Sequence, residues 1–166
     1  MRNVAGLTRR GLWPLAATAV LGLSGPARAD FSLFFPAGTA CAFDVQVDVS
    51  GDGNQVYREF FDKDGNLVRT LTAGTGFSLT FVNSVTGATL PLKANGAVTH
   101  VTKGPDGVDT YVSTGHNVII LFPTDFPAGP STTLYVGRVE YTVDVNFTFN
   151  LLRASGQKTD ICAAIS

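Results

Sequence analysis

The chain reads as all-β, an antiparallel β-sandwich of about 8–10 strands with a closed β-barrel as the alternative. Three observations carry that expectation. Val139, Tyr141, Val143, Val145, Phe147, Phe149 and Leu151 alternate with Glu140, Thr142, Asp144, Asn146, Thr148 and Asn150, and strict period two puts every large side chain on one face only if the backbone is extended. Turn residues recur about every ten positions. Beyond residue 29, apolar residues fall at helical spacing only over Asp160 to Ser166, a stretch too short to decide.

In chain order, the first β-rich run is 31–35. Phe43, Val45, Val47 and Val49 alternate with Asp44, Gln46, Asp48 and Ser50, a strand with one wet side. Runs follow at 55–61, 67–73, 77–83, 88–93, 96–103, 108–114, 117–122 and 132–136, and the last strand covers 139–151. Asp52-Gly53-Asn54, Asp64-Gly65-Asn66, Gly74-Thr75-Gly76, Thr86-Gly87, Asn95-Gly96 and Pro105-Asp106-Gly107 separate them with residues suited to reversing the chain. Val118-Ile119-Ile120-Leu121-Phe122 is continuously apolar, the mark of a strand buried on both sides. Pro123, Pro127 and Pro130 then fix φ and remove backbone donors, so 123–130 is expected as a rigid surface loop.

Residues 1–29 read as an export leader. Arg2, Arg9 and Arg10 give a basic start, Leu12 to Leu23 a mainly apolar stretch, and Ala27-Arg28-Ala29 a small-x-small cleavage site before Asp30. Trp13-Pro14 and Gly22 break the apolar stretch, so it falls short of the roughly 20 residues a membrane-spanning helix needs. Thr8-Arg9-Arg10-Gly11-Leu12 also fits a twin-arginine motif, leaving two export routes open. Residues 30–166 are expected to form a single all-β domain, secreted and either free or associated with the cell wall. Loss of Arg2, Arg9, Arg10 and Arg28 leaves eight Lys and Arg against thirteen Asp and Glu, a net charge of −5. A mildly acidic domain lacks the basic surface that nucleic acid or an anionic membrane requires, so neither is an expected partner.

Cys41 and Cys162 are the only cysteines and permit one pairing within the chain. In an oxidising compartment they are expected to form a disulfide that staples the first and last strands. It closes a loop of about 120 residues, worth up to about 5 kcal/mol on chain-entropy grounds. A redox pair or metal ligation lacks support, because there is no C-x-x-C and neither thiol has a His or Cys near it in sequence.

Residues that could carry chemistry are sparse. Asp62-Lys63-Asp64-Gly65-Asn66 invites a calcium-loop reading, yet aligning Gly65 with the sixth loop position leaves Phe60 at the first and Leu71 at the twelfth. A hairpin turn is expected instead. Asp44, Asp48 and Asp144 would converge on calcium only if their strands were neighbours, and a solvated polar face is the plainer reading. No metal or other cofactor is expected. A two-residue loop at Asp106-Gly107 pairs Pro105 with Val108, His100 with Ser113 and His116 with Ala97. His100 and His116 then project to opposite faces unless Gly115 makes a bulge.

The candidate site is His116, at the entrance to the buried strand, with Asp125 in the proline loop. Ser113 or Ser131 would complete a Ser-His-Asp set, although the G-x-S-x-G elbow is absent. The bland reading makes His116 a strand cap and Asp125 an Asx turn before Phe126-Pro127. Asn146-Phe147-Thr148 matches a glycosylation acceptor but falls in the middle of an expected strand.

In Cys41-Ala42-Phe43-Asp44-Val45, in TGHNVIILFPTDFPAGPSTTLYVGR from Thr114 to Arg138, and in Thr159-Asp160-Ile161-Cys162-Ala163-Ala164, the chain resembles an uncharacterised family of small exported proteins of high-GC Gram-positive bacteria. The likeness spans nearly all of 30–166. It implies secretion, paired Cys41 and Cys162 and an all-β domain, with no activity and no catalytic residues to carry over. The expected function is a non-catalytic binding module for an extracellular ligand: a glycan, a wall component or a protein. The alternatives are a small hydrolase centred on His116 and Asp125, and a carrier of an apolar small molecule, which would need an open barrel interior.

Overall fold

The computed structural model describes residues 27–104 and 106–166. The leader reading falls largely on 1–26, outside the described residues, and the expected cleavage point after Ala29 falls inside the first strand. The elements among the described residues are β1 (Ala27–Phe35), β2 (Val45–Phe61), β3 (Leu67–Thr75), β4 (Ser78–Asn83), β5 (Thr89–Leu92), β6 (Gly96–Thr102), β7 (Asp109–Leu121), β8 (Ser131–Val143), β9 (Phe149–Asp160) and the short helix α1 (Ile161–Ala164). Every strand pairing is antiparallel.

The strands run in the order β5-β4-β2-β3-β6-β7-β8-β9, with β1 also on β2. The ends of this path, β5 and β9, do not pair, so the sheet is open and sandwich-like and the closed barrel is ruled out. β2 changes partners along its length. Val45–Ser50 pairs with β4 on one side and β1 on the other, whereas Asn54–Phe61 pairs with β3. The turn expected at Asp52-Gly53-Asn54 is therefore a bend inside one strand. Gly51 takes φ 97, and a Cβ on Gly53 would come within 2.9 Å of the Phe77 ring. These glycines steer β2 from the small layer, which it forms with β1, β4 and β5, into the large layer of β3, β6, β7, β8 and β9, without reversing it.

Two cores lie on opposite faces of the end of β7. Val45, Val47, Val49 and Phe81 bury against Ile161 and Ile165, with Val118 and Leu134 packed on them. Ile119 and Leu121 join Val139 in a second cluster with Tyr135, Tyr141, Phe149 and Leu151. The apolar run is thus buried on both sides, as its composition predicts.

The second core exists because the large layer folds over on itself. Phe126 N–H donates to Phe149 C=O at 2.8 Å, and Leu151 N–H donates to Phe126 C=O at 2.7 Å. In register, Asn150 sits beside Thr142, which sits beside Thr110 near the start of β7. A straight strand from Thr110 to Leu121 would span roughly 35 Å, too far for the short link after Leu121 to return. The bend follows a row in which Gly74, Ala97, Gly115, Gly137 and Gly156 stand side by side across β3, β6, β7, β8 and β9.

Other expectations change in detail. The alternation over 139–151 hides a turn at Asp144–Thr148, where Asp144 Oδ1 accepts from Asn146 N–H at 2.8 Å and Thr148 N–H at 2.9 Å. Phe147 takes φ 62 and is 86% exposed, so its place in the pattern is not a place on the core face. The Asn146-Phe147-Thr148 sequon consequently lies on an exposed turn. The β6–β7 link is longer than two residues, with Thr102 paired to Thr110, and this shifts the register by one. His100 pairs with Val112 and Thr99 with Ser113, placing His100 and His116 on the same side of the ladder but about 13 Å apart along it.

Cys41 and Cys162 form the disulfide, with Cα atoms 5.6 Å apart. It joins the segment ahead of β2 to α1, rather than joining two strands. The same corner is tied by Thr132 Oγ1 donating to Ala40 C=O at 2.9 Å and by Asn83 Nδ2 donating to Ile165 C=O at 2.9 Å. Among the described residues no helix is long and apolar enough to cross a membrane.

Candidate binding cleft

β6 begins too late to cover the whole of β7. Its pairing with β7 ends at Ala97 opposite Gly115, so β7 from His116 to Leu121 pairs with β8 and has no strand on its other side. The chain crosses between layers here through Lys93 to Asn95. This uncovered edge opens a cleft of about 760 Å³, in which His116, Asn117, Val118 and Ile119 form part of the wall. That volume lies within the usual range for small-ligand sites.

Phe77, Leu79 and Leu92 line the cleft from the small layer, and Val118, Ile119 and Leu134 from the large one. Against this apolar surface stand a few polar groups. Ser113, 2% exposed, places its hydroxyl 2.8 Å from that of Thr99. Tyr141 stacks between Tyr111, at 4.8 Å between ring centroids, and Phe149, at 4.2 Å. Burial raises the Tyr141 phenol above its ordinary pKa, and a hydrogen bond with Ser113 pulls the other way. The phenol stays neutral through the physiological range.

Asn117 is the group the fold does not satisfy. Its Nδ2 is buried and has no hydrogen-bond partner. An orphaned buried amide donor costs about 1–3 kcal/mol, a cost that an acceptor entering the cleft would remove.

The structure separates the two residues singled out from sequence. His116 is exposed at the cleft wall. Asp125 is 3% exposed and does not line it. Phe122 N–H donates to Asp125 Oδ2 at 2.6 Å, and Phe149 N–H donates to Oδ1 at 2.9 Å, so the carboxylate clamps the proline loop to β9. Ser113 is engaged by Thr99 and Tyr141, and Ser131 lies at the far end of the strand, opposite Leu121. No His-Ser pair is formed.

The three strand aspartates also stay apart: Asp44 accepts from Ala37 N–H, Asp48 from Ser32 and Gln46, and Asp144 from its own turn. Among the described residues no cluster of three His, Cys, Asp or Glu could hold a metal ion.

Sequence reasoning missed Asn117, although a signal was present. A polar residue two positions before Ile119 on a strand buried on both sides faces inward by parity, and needs a partner there. No family model matches the chain, and no curated protein or solved structure matches it.

Proposed function

We propose that this protein is an exported, non-catalytic binding module whose ligand enters the cleft beside β7. The ligand carries an apolar body and at least one hydrogen-bond acceptor. The single observation that carries this reading is the buried, unpartnered Asn117 amide on a residue lining a cleft that joins apolar walls to a few polar groups. A disulfide across the whole domain agrees with work in an oxidising, extracellular space.

The test uses anilinonaphthalene sulfonate, a fluorophore with an apolar body and a sulfonate acceptor, titrated against the oxidised protein. One saturable site is expected, lost in Leu92→Trp, which adds bulk to the cleft wall, and weakened several-fold in Asn117→Leu. Binding indifferent to both substitutions would place the dye elsewhere and refute the reading.

A further inference from the structure

We infer that the natural occupant of the cleft is an extended peptide carrying a carboxylate, added as a strand along the open edge of β7; this rests on the cleft being a binding site. The uncovered stretch from His116 to Leu121 is an unpaired ladder edge. Such an edge pairs readily with any extended chain, and proteins ordinarily shorten, charge or cover it. Here it is not short and carries no Asp, Glu, Lys or Arg. It is recessed between two layers, so a flat sheet from another molecule cannot reach it, whereas a single extended chain can.

The cleft walls suit a strand better than a compact molecule. Successive side chains of an added strand point to opposite faces of the ladder. On one face they meet Leu79, Leu92 and Leu134, and on the other Thr99, Ser113 and Tyr141. The peptide should therefore alternate apolar residues with small or polar ones. Both faces of β7 are anchored in cores, through Val118 on one side and Ile119 on the other, so the template is rigid before the peptide arrives. Asn117 lines the same cleft, and its Nδ2 has no partner within the protein, so a peptide carbonyl or side-chain acceptor reaching it would supply the missing hydrogen bond.

Charge selects the carboxylate. Lys93 and His116 line the cleft and no Asp or Glu does, although the domain after residue 29 carries an excess of acidic residues. A peptide ending in a free carboxylate, or bearing one near its end, meets the single basic stretch of the rim.

The probe is a library of eight-residue peptides with alternating apolar positions and a free C-terminal carboxylate, screened by fluorescence polarisation against the full oxidised chain. The expected hit displaces anilinonaphthalene sulfonate and slows hydrogen exchange of amides in His116–Leu121. Backbone N-methylation should weaken it by about tenfold at every second residue and leave the residues between unaffected, since only alternate amides face the edge. Amidating its C-terminus should weaken binding severalfold and flatten its salt dependence. Peptides that fail to bind while the dye still binds would leave the cleft reading standing and overturn strand addition, as would a hit tolerant of N-methylation at every position. Loss of dye binding as well would remove both.

Discussion

Gly115 on β7 stands directly opposite Gly137 on β8, and neither position has room for a side chain. A Cβ on Gly115 would overlap the Gly96 carbonyl oxygen, and one on Gly137 the Ser155 carbonyl oxygen, so each glycine sits against the strand beyond it. Their φ values of 101 and 153 belong to the region that disfavours side chains. The pair marks the crease along which the large layer doubles back, and the crease creates the second core.

Gly137→Ala should cost about 3 kcal/mol, combining the left-handed penalty with overpacking. Gly65, which has φ 84 in the β2–β3 turn with nothing within 4 Å of an added Cβ, is the control. Gly65→Ala should cost about 1 kcal/mol. Urea unfolding of both variants checks the difference, and equal losses would mean that the crease is not sterically enforced.

Asp125→Ala removes the acceptor for two backbone donors and should destabilise the domain by about 2–4 kcal/mol. Dye binding in the cleft should not change, because Asp125 lies outside it. A selective loss of binding without a loss of stability would restore Asp125 to the site.

Backbone hydrogen bonds from Thr148 and Asn146, the former the larger, lower the Asp144 pKa below the ordinary carboxylate value. A carboxylate with a depressed folded pKa contributes stability that is full above about pH 4 and disappears as pH falls through the folded value. Asp144 is only partly buried at its turn, so the effect is small. Asp144→Asn should flatten the stability curve below pH 4 and leave it parallel to wild type above pH 6; an unchanged acid limb would contradict the Asx turn.

Reduction of Cys41–Cys162, or the double change to serine, should lower stability by about 2–5 kcal/mol. Sequence separation is 121 residues, so the unfolded chain gains much freedom. Thr132 and Asn83 still tie the corner, and the reduced domain should retain its β-rich circular dichroism below the new midpoint.

Much of this architecture is legible in residues alone. Alternation around Val45 to Val49, the turns at Asp64-Gly65-Asn66 and Thr86-Gly87, and the doubly buried run after Asn117 all report local geometry, which sequence encodes directly; Gly74-Thr75-Gly76 and Asn95-Gly96 instead carry the chain onward without reversing it. The turn at Asp144 escaped because period two continues through it while Phe147 swings into solvent. The crease escaped for a different reason: Gly74, Gly115, Gly137 and Gly156 are far apart in sequence and become a row only once register is known. The cleft is likewise a consequence of register, opening where β6 stops opposite Gly115. His116 was found because histidines are conspicuous, and it does line the wall. Asn117 beside it bears the unmet hydrogen bond.

The most direct measurement is Asn117→Leu, read for stability and for dye affinity in the same preparation. If Asn117 is held unsatisfied for a ligand, the leucine variant is as stable as wild type or gains up to about 1 kcal/mol, while affinity falls several-fold. A variant that loses more than about 1 kcal/mol of stability and binds the dye unchanged would show that the amide serves the fold, and the cleft would lose its claim to function.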